Sequence, residues 1–179
     1  MPHPLSHFRF CPHCGSAQFT ELDFKAKCCQ TCGFTYYANI AAATACFIRN
    51  NEGELLVARR KKEPAKDTLD LPGGFVDMDE NAEKAIVREI KEETNLNVSG
   101  LKPLFSLPNI YRYSGMDIHT LDLFFEATVD NYECLSAADD VSELRFMPLS
   151  EIDASFFGLI SIREAVEKYL SVYLRKARK

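Results

Sequence analysis

From Ile40 onward the apolar positions come in short runs divided by polar punctuation. Residues 41–48 read as a buried strand, 50–53 as a turn and 54–59 as a second strand, which predicts a hairpin. A polar loop follows over 61–67, then Leu71-Pro72-Gly73-Gly74, a composition that favours a tight turn. The strongest helical signal covers 80–94, acidic at its start, rich in helix formers and free of Pro and Gly until Gly100. Residues 98–105, 119–129 and 144–148 read as further strands, with a Pro- and Tyr-bearing loop over 107–115 between the first two. An amphipathic helix over 161–175 closes the chain. This mixed order, without an internal repeat, predicts an α+β or α/β sandwich.

The 80–94 helix carries an unusual face. With Ala82 at zero and about 100° per residue, Ala85, Ile86 and Ile90 fall near 300°, 40° and 80° and define an apolar stripe. Glu89, Glu93 and Glu92 fall near 340°, 20° and 280° on the same arc, so the later half of the stripe becomes carboxylates about one turn apart. Mutually repelling acids on a burying face need a cation, and an all-oxygen donor set selects Mg²⁺ or Mn²⁺. The alternative for such an acidic run is a solvated charged surface. Arg88 is placed to pair with Glu92 or with a carboxylate on the preceding loop.

Residues 1 to about 36 differ in kind, with many Cys, aromatic and small polar residues and hardly any aliphatic ones. Cys11-Pro12-His13-Cys14-Gly15 and Cys29-Gln30-Thr31-Cys32-Gly33 form two Cys-x2-Cys knuckles 14 residues apart, the spacing of a zinc ribbon. Cys28 competes with Cys29 as a ligand, but only Cys29 repeats the two-residue loop of the first knuckle. Zinc is preferred over iron by closed-site habit, and the ribbon reads first as a structural clip, second as a contact surface for a partner or nucleic acid. His13 reads as a surface residue.

Bulk properties then remove several classes. The 179 residues suffice for one ordinary domain plus a mini-domain. A net charge of −5 and a pI of about 5.4 supply no field for holding polyanions, so nucleic acid is a disfavoured partner. The longest apolar run is far shorter than the roughly 20 residues of a membrane helix, and the N-terminus lacks the form of a secretory signal. Paired cysteines in a chain without an export signal lead to the expectation of a reducing, cytoplasmic location.

The series Gly74-x5-Glu80-x7-Arg88-Glu89-Ile90-x-Glu92-Glu93-x-Asn95-Leu96 resembles the Nudix box, Gly-x5-Glu-x7-Arg-Glu-U-x-Glu-Glu-x-Gly-U with U aliphatic, at eight of nine fixed positions. The departure is Asn95 in place of glycine, and Asn is the non-glycine residue that best tolerates the left-handed backbone ending a helix. The ribbon ahead of the box is similar to that of NADH-pyrophosphatase-type Nudix proteins. The resemblance implies an α+β fold: a Nudix α/β/α sandwich with mixed sheet over 38–179, preceded by a zinc-ribbon mini-domain over 1–37.

It also implies a pyrophosphohydrolase that cleaves a nucleoside diphosphate linked to another moiety and releases a nucleoside monophosphate. By motif position Glu89, Glu92 and Glu93 would hold Mg²⁺ or Mn²⁺, and Cys11, Cys14, Cys29 and Cys32 would hold Zn²⁺. Arg88, counted with the catalytic set, would organise loop and helix together with Glu80 and Gly74. The family often adds an acid from outside the box; Glu143 is the candidate, with Asp140 and Glu126 as alternatives. Tyr111 and Tyr113 are candidates to stack a base, and Arg60 or Arg112 to meet a phosphate.

The NADH-pyrophosphatase fingerprint Ser-Gln-Pro-Trp-Pro-Phe-Pro-x-Ser is replaced by Ser106-Leu107-Pro108-Asn109-Ile110-Tyr111-Arg112-Tyr113 in a chain with no Trp, which argues against preferred NADH hydrolysis. ADP-ribose, FAD or another dinucleotide stays open as the small-molecule substrate. A homodimer is the family expectation. The competing reading is a nucleotide sensor on a Nudix fold, against which the intact acids speak.

Overall fold

The structure, a computed structural model, describes residues 2–129 and 131–176. Three short antiparallel strands, β1 (Phe19–Asp23), β2 (Ala26–Cys29) and β3 (Thr35–Tyr37), form a small sheet of their own. β4 (Ala41–Ile48), β7 (Val98–Tyr113) and β8 (Met116–Val129) form a mixed sheet in the order β4-β8-β7, with β4 parallel and β7 antiparallel to β8. β5 (Leu55–Arg60), β6 (Leu69–Asp70) and β9 (Val141–Met147) form an antiparallel sheet in the order β6-β5-β9. Helices α1 (Ala82–Thr94) and α2 (Ile160–Lys176) complete the fold, with one 3₁₀ turn at Ala154–Phe156. No helix among the described residues is long and apolar enough to cross a membrane.

The two larger sheets lie between the helices, because β4 and β5 are apolar on both faces. On one side Ala45, Phe47, Leu55 and Val57 pack with Ile162, Ala165, Val166 and Tyr169 of α2. On the other, Cys46, Ile48 and Leu56 pack with Ile86 and Ile90 of α1 and with Leu96 just beyond it. This is the expected α/β/α sandwich. Burying a Phe47- or Ile90-sized side chain contributes about 1.5–3 kcal/mol, so these two cores carry most of the stability. Asn81 caps α1 by accepting from the Lys84 amide at 2.9 Å, which starts the helix two residues later than the predicted 80.

Two expectations need correcting. The 41–48 and 54–59 runs do not form an extended hairpin: after one bridge at Arg49–Leu55 the strands diverge into different sheets. Both strands are apolar on both faces, so each takes neighbours that bury it more completely than its sequence partner does. The predicted loop over 107–115 is mostly the second half of β7, which runs to Tyr113 and turns through Ser114 (φ 50°) and Gly115 (φ 77°) into β8. Pro108 mimics a loop signal, yet β7 is an edge strand, where a proline whose nitrogen faces away from the neighbouring strand is tolerated.

Candidate active site

The Leu71-Pro72-Gly73-Gly74 segment is extended and runs antiparallel along the free edge of β4, in place of the expected tight turn. Cys46 N donates to Pro72 O (2.9 Å), Thr44 N to Gly74 O (2.8 Å) and Val76 N to Ala42 O (2.9 Å). Gly73 has φ 150°, and a Cβ there would stand 2.1 Å from Thr44 O, so only glycine permits the approach. A Cβ on Gly74 would stand 2.5 Å from the Glu89 carboxylate. The two glycines thus bring backbone against β4 and against an acid of α1.

Arg88 ties this segment to α1. Its Nε and Nη2 donate to Glu80 (3.1 and 2.8 Å), Nη1 to Glu89 (2.7 Å) and Glu92 (3.2 Å), and Nη2 also to Phe75 O (3.1 Å). A planar guanidinium suits this many-armed role, which an ammonium could not fill. The Glu80 bond leads the causes that raise the Arg88 pKa, and the Arg88 bond leads those that lower the Glu80 pKa. Burial pushes the Glu89 carboxyl up while Arg88 opposes it.

Glu93, one turn further on, is 7% exposed and accepts a 2.9 Å bond from Gly73 N. Burial pushes its pKa to about 8, against the Gly73 bond and with help from Asp70, Glu89 and Asp139. These four acids line one cleft of 420 Å³, a size that suits a small organic ligand. Asp70 is itself raised by burial, partly offset by Arg60, whose Nη1 donates to it. Arg60 also donates from Nη2 to the Tyr111 hydroxyl (3.2 Å) and from Nε to Pro64 O (2.7 Å).

The predicted residues distribute as follows. Gly74, Glu89, Glu93, Arg60, Tyr111 and Tyr113 all line the cleft. Glu80 and Arg88 stand behind it, and Glu92, at the rim of the predicted arc, has a half-exposed side chain held by Arg88. Glu143 lies outside the lining: its carboxylate accepts from Arg59 Nε at 2.8 Å, with 47% of the side chain exposed. Glu126 faces α2, accepting from Tyr169 OH (2.9 Å) and Arg49 Nη2 (3.3 Å). Asp140 lines the cleft but pairs with Lys62. Sequence reasoning missed Asp70, Asp139, Asn109 and Asp122, all of which line it. The one available signal was that Asp139 adjoins Asp140, an alternative already considered for the additional acid.

At the N-terminal end the ligand atoms of Cys11, Cys14, Cys29 and Cys32 lie within 4.8 Å of one another. Cys11 Sγ and Cys32 Sγ are 3.8 Å apart and Cys14 Sγ and Cys29 Sγ 3.6 Å, close to the edge of about 3.8 Å for a tetrahedron with Zn–S near 2.3 Å. The knuckles repeat each other: Gly15 N donates to Cys11 O and Gly33 N to Cys29 O, with φ of 74° and 75° at the glycines. Cys28 is outside the cluster, its Sγ near Cys29 O and Gly33 O, and His13 stacks on Phe34.

The chain is thus an α/β/α sandwich whose charged helix feeds acids into a cleft on the sheet edge, a donor set suited to a hard divalent cation. The NUDIX domain family matches residues 39–168, and the chain belongs to that family. An ADP-ribose pyrophosphatase of Methanocaldococcus jannaschii is 36% identical over 130 residues, 72% of this chain and 70% of that protein. The NAD-capped RNA hydrolase NudC of Stutzerimonas stutzeri is 24% identical over 174 residues, which are 96% of this chain and only 58% of that relative. A NUDIX hydrolase structure from Nitrosomonas europaea shares the fold with a TM-score of 0.70 at 19% identity, over 91% of this chain and 90% of that one.

Proposed function

We propose that the protein is a Mg²⁺- or Mn²⁺-dependent pyrophosphohydrolase that cleaves a nucleoside diphosphate linked to another moiety, ADP-ribose, FAD or a related dinucleotide, and releases a nucleoside monophosphate. Glu93 carries this reading: a buried carboxylate beside Glu89, Asp70 and Asp139, whose hydrogen bond comes from one backbone amide. So many acids in one cleft are unfavourable without a cation, and oxygen donors alone fit a hard divalent ion. The ion, when bound, would neutralise charge on the pyrophosphate and acidify a water.

The chain's own residues do the rest. Glu89, Glu92 and Glu93 would hold the ion, with Arg88 fixing Glu89 and Glu92, and the Gly73 amide fixing Glu93. Asp139 replaces Glu143 as the additional acid, a proton acceptor reaching the cleft from just ahead of β9. Three of the five Arg60 N–H donors are engaged, which leaves two for a substrate phosphate, among the described residues. Tyr111, held by Arg60 and perpendicular to the Phe75 ring at 5.5 Å, is the proposed stacking residue in the cleft, with Tyr113 further out. The ADP-ribose pyrophosphatase relative supports this substrate class.

The four-cysteine cluster fits Zn²⁺ as a structural clip, with the chain dividing into a ribbon over 1–37 and a hydrolase domain over 38–179. Thiolate ligands suit a reducing compartment, and the cytoplasm is the proposed location. The test is a panel of ADP-ribose, FAD, NADH, diadenosine polyphosphates, nucleoside triphosphates and an NAD-capped oligonucleotide with Mg²⁺ or Mn²⁺, run beside Glu93→Gln. Release of a nucleoside monophosphate from ADP-ribose or a dinucleotide by the wild type, reduced about 10²-fold or more in the folded variant, is expected. Tight binding of one ligand with no turnover of any would instead favour a sensor.

A further inference from the structure

Along β7, residues 107, 109, 111 and 113 share one face, because strand side chains alternate. Leu107 packs on the core, Asn109 is 7% exposed, Tyr111 is half-buried and Tyr113 is 63% exposed. Asn109, Tyr111 and Tyr113 form a row up the cleft wall, from its floor to its mouth. On the neighbouring strand Thr120 and Asp122 line the same cleft, and Asn109 is paired with Thr120.

The floor is a buried polar cluster with one vacancy in its bonding. Asp122 Oδ2 accepts from Asn109 Nδ2 (3.0 Å) and Ser161 Oγ (2.5 Å), and Oδ1 accepts from Thr120 Oγ1 (2.6 Å). The Asn109 amide places its nitrogen toward Asp122 Oδ2, the orientation in which an acceptor-only carboxylate can be bonded. That leaves Asn109 Oδ1 as a buried acceptor with no partner among the described residues. Buried acceptors without partners are unfavourable and rare, and one on the floor of a ligand-sized cleft calls for a donor brought by the ligand.

We propose that Asn109 is a specificity-determining residue, its Oδ1 accepting a hydrogen bond from the exocyclic amine of a nucleobase that stacks on Tyr111. The inference rests on the hydrolase reading of the same cleft. An aromatic ring and an acceptor two residues apart on one strand face, about 7 Å along the strand, match the face and the edge of a base. A base with hydrogen in place of the amine leaves Oδ1 unpaired. A ribose hydroxyl is the other donor a nucleotide carries, and it needs no ring beside it.

The experiment compares kcat/KM for ADP-ribose, its analogue with unsubstituted purine, and its analogue lacking the adenosine 2′-hydroxyl, in wild type and Asn109→Leu. Loss of the amine is expected to lower wild-type kcat/KM about tenfold or more, as when a site built around a hydrogen bond meets a substrate lacking it. Loss of the hydroxyl should leave it within about twofold, and in Asn109→Leu the amine preference should shrink to about twofold or less. The proposal is overturned by a wild-type amine ratio near one, which would mean a buried water satisfies Oδ1. It is equally overturned by a loss that tracks the hydroxyl or by a preference that survives in Asn109→Leu.

If the leucine variant does not fold, the wild-type ratio still decides. Calorimetric binding of AMP against purine riboside monophosphate to the wild type needs no turnover. An amine preference in binding with no hydrolysis would keep Asn109 in this role and remove the hydrolase reading alone.

Discussion

Glu93 combines burial, a single backbone donor and three acidic neighbours, and this sets a pH dependence that can be measured without substrate. A carboxyl whose folded pKa lies above its unfolded value binds its proton more tightly when folded, so stability is lost as pH rises from the unfolded value through the folded one. For Glu93 that window runs from 4.5 to about 8, and Glu89 and Asp70 shift in the same direction. The metal-free protein is therefore expected to melt at a lower temperature near pH 8 than near pH 5, and Glu93→Gln to flatten the slope. A divalent cation competes with the proton, so the Mg²⁺- or Mn²⁺-induced rise in Tm should be larger near pH 8. Melting curves at several pH values check this, and a flat wild-type profile would contradict it.

At the level of elements, the loop that lies along β4 separates folding from catalysis in two adjacent glycines. In Gly73→Ala the new Cβ meets the backbone of Thr44 and Ala45, which cannot yield, and a loss of about 3 kcal/mol is expected. In Gly74→Ala it meets the carboxylate end of Glu89, which can swing away, so stability should fall by only about 1 kcal/mol while turnover falls about 10²-fold. Denaturant unfolding and kcat/KM, measured on both variants, distinguish the two effects.

The end of α1 offers a similar contrast. Asn95 sits at φ 59° as the left-handed cap, its N–H bonded to Lys91 O; both variants lose its side-chain bonds to Lys91 and Cys134 O, so Asn95→Ala should cost about 1 kcal/mol more than Asn95→Gly. This cap, the acids of α1 and the cysteine knuckles were legible in the sequence because each depends on spacing within a few residues. The second half of β7 was not, since Pro108 reports local preference while the edge position that tolerates it is a property of the sheet. Nor could spacing tell that Asp139 enters the cleft while Glu143 turns to Arg59, or that the β7–β8 register sets Asn109 opposite Thr120 and diagonal to Asp122.

For the molecule as a whole, the proposed division at residue 38 leads to the expectation that the cysteine sheet and the sandwich have separate energetics. The small core beneath β1–β3 is built from Cys11, Phe19 and Cys29 with Phe8 and Phe34, and Leu5 and Ala26 are the other buried apolar side chains described in the first 37 residues. Among the described residues, the hydrogen bonds of residues 2–38 stay within that segment, from His3 Nε2 with Asp23 O to Ala38 N with Lys25 O. So few apolar side chains cannot offset the entropy of ordering this segment, and metal binding must supply the difference, on the order of 10 kcal/mol for structural zinc sites. A thiol-competing chelator is therefore expected to unfold β1–β3 alone, exposing four reactive thiols, while the sandwich retains its own melting transition. Once Mg²⁺ is restored in excess, hydrolysis by the chelated protein should return to within about twofold of its original rate, since none of the cleft residues belongs to the ribbon. Thiol titration, calorimetry and turnover on one chelated sample check the three parts together; a single concerted melt with irrecoverable activity would show that the ribbon supports the catalytic cleft as well as itself.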